Sequence, residues 1–404
     1  MSSGAATATL GFERELGLRR SEIVVQRRNG TRVRLATYRG NESVESGPII
    51  IYIHGMCGET SNFYWQMRQE RNAYYSFDMF GCGESEKRDT LLSCEELQRW
   101  CAPSQLVDDV AAAWRDATRD GARPSLLVAH SYSTSLVTQW LAALERSERN
   151  DRAFDGARAA RARRILGVVL LNTHASLPPM AASRASTLAR RLPTALQLAA
   201  VDLVMGPVRW LRMLCTEDCS HGTLGERATP AARARWLEWE RRKTAWLYAS
   251  SVCSAEWARE RDFARAYAAL PLAVSWGERD TLTPVDARFW TQRHRVAPAL
   301  CALQVCAGHG HWQFLDNPEF DAWFSAVREH MLSGAVALPS ARLLEVVPRC
   351  IDAEIGEALP RCVVCDAFAH SRCGRCPARV APAYCDPDCQ QLHWERGHCD
   401  ACAK

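Results

Sequence analysis

Seven cysteines and one histidine near the carboxyl end have the spacing of metal ligands. They form four pairs, Cys362/Cys365, Cys373/Cys376, Cys385/Cys389 and His398/Cys402. A two-residue gap lets a tight turn aim two thiolates at one ion, and an i, i+4 pair places two ligands on one face of a helix. Eight such ligands suffice for two closed tetrahedral sites, in which the metal is structural. The sequence therefore predicts two zinc ions, with a disulfide cluster as the alternative.

A second chemical signal is a serine that follows an apolar run and precedes a helical pattern. Ser131 stands in the segment SLLVAHSYSTSLVTQWL, over residues 125–141. A serine on such a strand-to-helix turn projects its hydroxyl from the carboxyl edge of a sheet, where it can act as a nucleophile. The residues two before and two after it must be small, because strand and helix approach closely there. Ala129 and Ser133 are small, although the pattern Gly-x-Ser-x-Gly has glycine at both places.

Downstream segments contain an acid and a base that could serve this serine. The strand-like run LAVSWGERD ends at Asp280, and Glu278 is the nearest other acid. His309 and His311 follow in AGHGHWQFLDNPEF, after the last apolar run. A histidine can take the proton of a serine while a carboxylate fixes its tautomer and stabilises its positive charge. The order serine, acid, histidine, each beyond a strand, predicts a nucleophilic triad.

Backbone amides near the serine complete the predicted site. The apolar run IIIYI ends in HGMCG, residues 54–58, and glycines at this place let the backbone approach a ligand closely. The amides of Met56 and Tyr132 are the natural pair of donors to a substrate oxyanion. His54 is expected to pack within this loop and to order it.

These groups need a scaffold that brings distant segments together. From about residue 21 to 330, short β-rich runs alternate with helical patterns, which predicts a mainly parallel sheet wrapped by helices. The candidate strands are Glu22–Gln26, Arg32–Tyr38, Pro48–Ile53, Tyr74–Asp78, Ser125–Ala129, Ile165–Leu171, Leu272–Trp276 and Leu300–Cys306. The first two strands are predicted to form a hairpin, because Asn29-Gly30 is a two-residue turn signal.

Three further segments do not follow this alternation. The chain from about residue 175 to 268 is long, helical in pattern and rich in tryptophan, so we expect a cap over a pocket. Extra helices packed on the core are the alternative. Residues 1–20 are expected to be an N-terminal tail. Residues 333–361 are expected to be a connector, because two prolines interrupt any long helix there.

Five segments are together similar to the α/β-hydrolase fold family in order and approximate spacing: HGMCG, DMFGCGES, AHSYS, WGERDTLTP and GHWQFLDNPEF. The resemblance covers residues 21–332 and implies an eight-stranded, mostly parallel sheet, with the site at its carboxyl edge under a helical cap. It implies Ser131 as nucleophile, Asp280 as acid and His311 as base. His311 is preferred to His309 because GHWQFLDNP matches the family's histidine-aromatic-x-x-x-acid-x-Pro run.

The carboxyl-terminal segment, residues 362–404, resembles a MYND zinc finger. The likeness extends to Tyr384-Cys385, Cys389-Gln390 and His393-Trp394, beside or within the ligand pairs. It implies interleaved ligation, with one zinc ion held by Cys362, Cys365, Cys385 and Cys389 and the other by Cys373, Cys376, His398 and Cys402. It also implies a protein partner, such as a short proline-containing peptide, that meets the finger at Gln390 and Trp394.

Composition limits the remaining classes of protein. The chain has 404 residues and a formal net charge of +4, which is too mild to indicate nucleic-acid binding. No apolar run reaches the ~18 residues of a membrane span, and the first residues lack the pattern of a secretion signal. We therefore expect an intracellular protein, cytoplasmic or nuclear, with no membrane span and with cysteines that are reduced or metal-bound.

The sequence thus predicts a serine hydrolase that cleaves an ester, thioester or lipid-like acyl substrate, joined to a protein-binding zinc finger. The tryptophan-rich cap favours a small apolar acyl group, and no organic cofactor is expected. A non-catalytic scaffold is one alternative, because Ala129 and Ser133 replace glycines. An acyltransferase, or a hydrolase of C–C or amide bonds, is another. The serine argues against epoxide hydrolases and haloalkane dehalogenases, which resemble this fold but attack with aspartate.

Overall fold

The structure is a computed structural model, and it describes a defined part of the chain. The described residues are 11–44, 47–87, 94–150, 164–173, 221–242, 257–258, 262–263, 266–267, 270–280, 282–283, 301–333, 363–364, 371–374, 376, 381–384, 387–398 and 402. Most of the predicted cap, almost all of the predicted connector and three predicted zinc ligands (Cys362, Cys365 and Cys385) lie outside these residues.

An eight-stranded, mostly parallel sheet forms the centre of the larger unit. Its strands are β1 (Arg19–Gln26), β2 (Arg32–Gly40), β3 (Ile49–Ile53), β4 (Ala73–Phe77), β5 (Ser125–His130), β6 (Ile165–Leu171), β7 (Leu272–Gly277) and β8 (Cys301–Cys306). They lie in the order β1-β2-β4-β3-β5-β6-β7-β8. β2 is antiparallel to both β1 and β4, and the other neighbours are parallel. All eight predicted strands are confirmed.

Helices cover both faces of this sheet. They are α1 (residues 11–16), α2 (Tyr64–Gln69), α3 (Cys94–Cys101), α4 (Pro103–Thr118), α5 (Tyr132–Asn150), α6 (His221–Leu224), α7 (Pro230–Arg242) and α8 (Pro318–Leu332). Alternate residues of β3 enter different apolar clusters: Ile51 packs with residues of α4 and α5, and Tyr52 with residues of α2 and α8. A strand covered on both faces must be apolar throughout, and the run IIIYI of β3 is entirely buried.

The β1–β2 hairpin forms as predicted, but its turn is longer. The Arg27 amide donates to the Thr31 carbonyl over 3.0 Å, so three residues, not two, connect the strands. Gly30 has φ 82 and Asn29 is not left-handed, which is the geometry of a turn followed by a glycine bulge. The Asn-Gly pair therefore marked the hairpin correctly but not its loop length.

The larger unit begins earlier than the sequence suggested. β1 starts at Arg19, and Phe12 of α1 is buried, with its ring 6.3 Å from that of Tyr64. Residues 11–20 therefore pack on the domain and are not part of a free tail. Among the helices that the structure describes, none has both the length and the apolar character needed to cross a bilayer.

The carboxyl-terminal segment contains a short two-stranded sheet and a helix. β9 (Ser371–Arg372) pairs antiparallel with β10 (Ala383–Tyr384), and α9 (Pro387–His393) leads into a further helical turn, Trp394–His398. Tyr384 is fully buried and packs with Cys373 and Cys402. The described core residues of this segment are by themselves too few to hold a fold by burial alone.

Candidate active site and cysteine–histidine cluster

Ser131 lies on a sharp turn between β5 and α5. Its φ is 55, a left-handed backbone conformation that is strained for any residue other than glycine. This conformation is typical of a nucleophile on a strand-to-helix turn. A Cβ atom added to Gly55 would lie 2.9 Å from the Cβ of Ser131, so the loop after β3 reaches the serine only because residue 55 is glycine. The strained turn expected from the sequence is therefore present.

The serine replacing the second glycine of the motif has a definite structural role. Ser133 is fully buried, and its hydroxyl lies 3.1 Å from the Ile53 carbonyl and 2.9 Å from the His130 carbonyl. It also contacts the His54 carbonyl oxygen. Because these carbonyls lie at the ends of β3 and β5, the Ser133 hydroxyl connects the loop after β3 to the serine turn.

The structure brings the three predicted triad residues together. His311 Nε2 lies 2.9 Å from Ser131 Oγ, and His311 Nδ1 lies 2.9 Å from Asp280 Oδ2. The His311 side chain is 5% exposed and that of Asp280 is fully buried. This continuous chain from hydroxyl to imidazole to carboxylate can move a proton off the serine oxygen.

The Asp280 carboxylate is held by five hydrogen bonds. Oδ1 accepts from the amides of Leu282 and Thr283 over 2.8 and 2.9 Å. Oδ2 accepts from Asn172 Nδ2 (2.6 Å), the Thr283 hydroxyl (2.7 Å) and His311 Nδ1 (2.9 Å). Burial alone would raise the pKa of Asp280, but His311 and the Thr283 hydrogen bonds more than offset it and keep the pKa below its usual value.

Sequence reasoning missed Asn172. It follows β6 directly, is fully buried and has φ 51. A polar residue directly after an apolar strand, at the carboxyl edge of the sheet, was the available signal. Thr283 follows Asp280 by three positions, and both its amide and its hydroxyl donate to that carboxylate.

The alternative acid and base lie elsewhere. Glu278 Oε2 accepts from the Gly308 amide over 2.9 Å, and its side chain is about half exposed. His309 is buried, pairs with Gly225 in an isolated antiparallel bridge, and has a pKa lowered by burial and by nearby Arg227. His311, not His309, therefore faces Ser131.

His54 orders the loop after β3, as expected. Its Nε2 accepts from the Met79 amide over 3.0 Å, so the proton lies on Nδ1, which donates to the Gly55 carbonyl over 2.8 Å. Burial lowers the pKa of this fully buried imidazole. Met56 follows in the same loop, and Tyr132 is the first residue of α5.

Two described residues of the predicted cap contact the serine helix. The Trp257 ring lies edge-on to Tyr132 at 5.2 Å between centroids, and the Ala258 amide donates to Ser135 Oγ over 2.5 Å. Tyr132 therefore packs against Trp257 through its ring, while its amide directly follows Ser131 in the chain.

Comparison with known proteins decides the family. Residues 50–320, which are 271 of the 404 positions, match the alpha/beta hydrolase family. The chain belongs to the alpha/beta hydrolase family. No curated protein matches the chain in sequence at a significant level.

Solved structures share the fold of this hydrolase at low sequence identity. A protein from Burkholderia cenocepacia described as an aryl esterase is 21% identical, with a TM-score of 0.51, over 78% of this chain and all of its own. An esterase from Thermogutta terrifontis is 17% identical, with a TM-score of 0.51, over 78% of this chain and 99% of its own. An epoxide hydrolase from Vigna radiata is 12% identical, with a TM-score of 0.50, over 78% and 98%. Such different chemistries on one fold mean that function must be argued from the site.

Outside the hydrolase domain, four ligand-type side chains converge in the carboxyl-terminal segment. The donor atoms of Cys373, Cys376, His398 and Cys402 all lie within 4.8 Å of one another. Cys402 Sγ is 3.4 Å from Cys373 Sγ and 3.6 Å from Cys376 Sγ, and Cys376 Sγ is 3.6 Å from His398 Nε2. Ligands around tetrahedral zinc lie roughly 3.5–3.8 Å apart. The donor set and its spacing therefore fit one zinc ion.

Aromatic side chains pack against the histidine of this cluster. The His393 ring stacks on the His398 ring, with 4.6 Å between centroids and 8° between planes. His393 Nδ1 lies 2.9 Å from the hydroxyl of buried Tyr384. Of the other predicted ligand set, only Cys389 is described, and it is buried. Its predicted partners Cys362, Cys365 and Cys385 are among the residues not described.

Proposed function

We propose that this protein is a serine hydrolase of acyl substrates, with Ser131 as nucleophile, His311 as general base and Asp280 as the orienting acid. The observation that carries the proposal is the unbroken hydrogen-bonded chain of these three side chains. Ser131 stands on a strained turn, as a nucleophile in this family must, and the acid and base lie beyond later strands.

The tautomer of His311 suits this role. Ionised Asp280 can only accept a hydrogen bond, so the imidazole proton of His311 lies on Nδ1 and is donated to the carboxylate. Nε2 then carries no proton and can take the proton of Ser131. The serine oxygen then attacks the substrate carbonyl, and the amides of Met56 and Tyr132 stabilise the oxyanion. The protonated His311 gives its proton to the leaving group, which leaves an acyl-serine. Water, deprotonated by the same imidazole, then attacks the acyl carbon; the bond to the serine oxygen breaks, the acid is released, and His311 returns the proton to that oxygen.

The described surroundings favour an apolar acyl group. Tyr132 and Trp257 lie beside the serine turn, and Met56 packs against the apolar core. We therefore propose an ester, thioester or lipid-like substrate.

A fluorophosphonate probe, which traps activated serines, tests the proposal. Wild-type protein should be labelled and should hydrolyse a p-nitrophenyl ester, whereas folded Ser131→Ala should do neither. Ser325→Ala on α8 removes a serine hydroxyl that bonds to Glu329 and Arg328 and not to His311, and this variant should be labelled like wild type. A folded wild-type protein that is not labelled would favour the scaffold alternative. Labelling with acyl release only to an added alcohol or amine would favour an acyltransferase.

We also propose that residues 362–404 form a MYND-type finger with two structural zinc ions, and that residues 333–361 connect it to the hydrolase domain. Cys373, Cys376, His398 and Cys402 would hold one ion, and Cys362, Cys365, Cys385 and Cys389 the other. Bound zinc would supply folding free energy that the small core lacks. Gln390 and Trp394, both half-buried, would receive a proline-containing peptide of an intracellular partner.

Metal analysis tests the zinc proposal. Purified protein should contain two zinc ions per chain, and Cys402→Ser should retain about one. Ester hydrolysis should persist in this variant, because Cys402 belongs to the cysteine–histidine cluster and not to the proposed triad. A chain that binds no zinc, with its thiols oxidised in pairs, would support the disulfide alternative.

A further inference from the structure

Backbone carbonyls of the cap accept from the amides of the two residues that flank His311. The Gly310 amide donates to the Leu224 carbonyl over 3.0 Å, and the Trp312 amide donates to the Thr223 carbonyl over 3.1 Å. The carbonyl of His311 itself accepts from His130 Nε2 over 3.1 Å. The base is therefore held by its neighbours on either side and by the residue that precedes Ser131.

Glycines allow this close approach. We call the contact of residues 223–225 with residues 308–312 the seam. A Cβ atom added to Gly225 would lie 2.3 Å from the Gly308 carbonyl oxygen and 2.5 Å from the Cα of His309. A Cβ added to Gly310 would lie 2.7 Å from the carbonyl carbon of Thr223. Real Cβ atoms do not make such contacts, so the two backbones meet with no room for a side chain on either.

The cap segment that follows the seam is itself anchored. Thr229 Oγ1 donates to Asp316 Oδ2 over 2.5 Å and accepts from the Ala232 amide at the start of α7. Trp239 of α7 lies 5.3 Å from the Trp312 ring and donates through Nε1 to Ser61 Oγ over 3.0 Å. Side-chain contacts to Trp312 and Asp316 thus extend the seam.

We propose that the seam makes the cap a positioning element for the general base, with Gly225 as its key residue. The cap then does more than cover the substrate, because His311 reaches Ser131 only while residues 223–225 are in place. This inference rests on the proposed function. A displacement of about 1 Å in a reacting group can lower a rate by about 10²-fold, so the seam need move only slightly to matter.

A matched pair of glycine variants tests the proposal in the full-length protein. Gly225 has φ 83 and Gly30 has φ 82, so alanine meets the same left-handed backbone at both positions. An added Cβ at Gly30 meets nothing within 4 Å, whereas one at Gly225 overlaps the backbone of residues 308–310. Relative to Gly30→Ala, we expect Gly225→Ala to lower kcat for ester hydrolysis about 10²-fold, with KM changed only a few-fold.

A spectroscopic signal separates positioning from general damage. The Nδ1 proton shared by His311 and Asp280 should give a far-downfield proton resonance, assigned by its absence in His311→Gln. Gly225→Ala should lose or shift this resonance while its circular dichroism spectrum shows that it is folded like Gly30→Ala. If kcat and the resonance equal those of Gly30→Ala, the proposal is wrong. Because the resonance requires no turnover, it tests the seam even if the protein hydrolyses no ester.

A milder pair of variants decides the matter if Gly225→Ala does not fold. Thr229→Val removes the hydroxyl that binds Asp316, and Thr229→Ser keeps it. We expect Thr229→Val to weaken the downfield resonance and to lower kcat several-fold, and Thr229→Ser to restore both. If the two variants are indistinguishable, the cap does not position the base.

Discussion

Asn172 should support both the stability and the activity of the site through one hydrogen bond. Its Nδ2 donates to Asp280 Oδ2 over 2.6 Å in a fully buried position, and its backbone has φ 51. Asn172→Gly removes the amide and keeps the backbone unstrained, because glycine adopts a positive φ freely. Asn172→Ala removes the same amide and adds the strain of a left-handed alanine, so the difference between the variants measures the backbone cost alone.

The expected size of both losses in Asn172→Gly follows from the charge of the Asp280 carboxylate. A hydrogen bond to a charged group contributes about 1.5–3 kcal/mol, so Asn172→Gly should lower the free energy of unfolding by about 2 kcal/mol. Four hydrogen bonds still hold the carboxylate. We therefore expect the transition state to lose only part of this stabilisation, about 1.4 kcal/mol. A loss of that size lowers kcat/KM about tenfold.

Asn41→Gly is the matched control. Asn41 has φ 53, and its Nδ2 donates to the carbonyls of Glu70 and Asn72, away from Ser131. Both variants should be compared with wild type by urea unfolding and by p-nitrophenyl ester hydrolysis. Asn41→Gly should lose stability but keep kcat/KM. If Asn172→Gly also keeps kcat/KM within twofold of wild type while it loses stability, the reasoning that connects Asn172 to the base is refuted.

Two further predictions concern the buried charges and imidazoles of the hydrolase domain. Burial lowers the pKa of His54 and His130, so both imidazoles stay neutral in the folded protein at a pH at which the unfolded chain protonates them. Stability should therefore fall as the pH decreases below about 6.5, by up to about 1.4 kcal/mol per pH unit for each histidine; urea unfolding that is unchanged between pH 7.5 and 5 would contradict this. Arg27 binds Asp109 through two fully buried hydrogen bonds of 2.8 and 2.6 Å. Arg27→Met should cost about 3–5 kcal/mol by leaving the carboxylate unpaired, and Arg27→Met/Asp109→Leu should recover most of it; a double variant as unstable as the single one would show that the charge is not the cause.

Much of the fold was predictable because its signals are local. Runs such as IIIYI are continuously apolar, and a strand covered on both faces requires that pattern whatever its neighbours are. The turn at Ser131 was predictable for a similar reason, since it needs small flanking residues between a strand and a helix. The loop of the β1–β2 hairpin was not, because Asn-Gly is compatible with more than one turn geometry.

Contacts between distant segments were harder to predict from the sequence. His309 and His311 are two residues apart and of the same type, and only the folded loop shows that one faces Ser131 while the other pairs with Gly225. Asn172 lies 108 positions from Asp280, and its side chain has no spacing that would indicate the contact. The seam is less visible still, because it uses backbone carbonyls that every residue has.

The sequence by itself determined which groups exist and in what order they occur: a serine after one strand, an acid after a later one, a histidine after the last, and paired cysteines near the end. These facts are local, because residue type, apolar pattern and short spacing can be read without knowledge of the fold. Only the tertiary structure decided which atoms meet, namely that Ser131, Asp280 and His311 form one hydrogen-bonded chain and that residues 223–225 contact the loop that carries His311. Hydrogen bonds act over about 3 Å, and long-range folding alone sets distances of that size between residues a hundred positions apart.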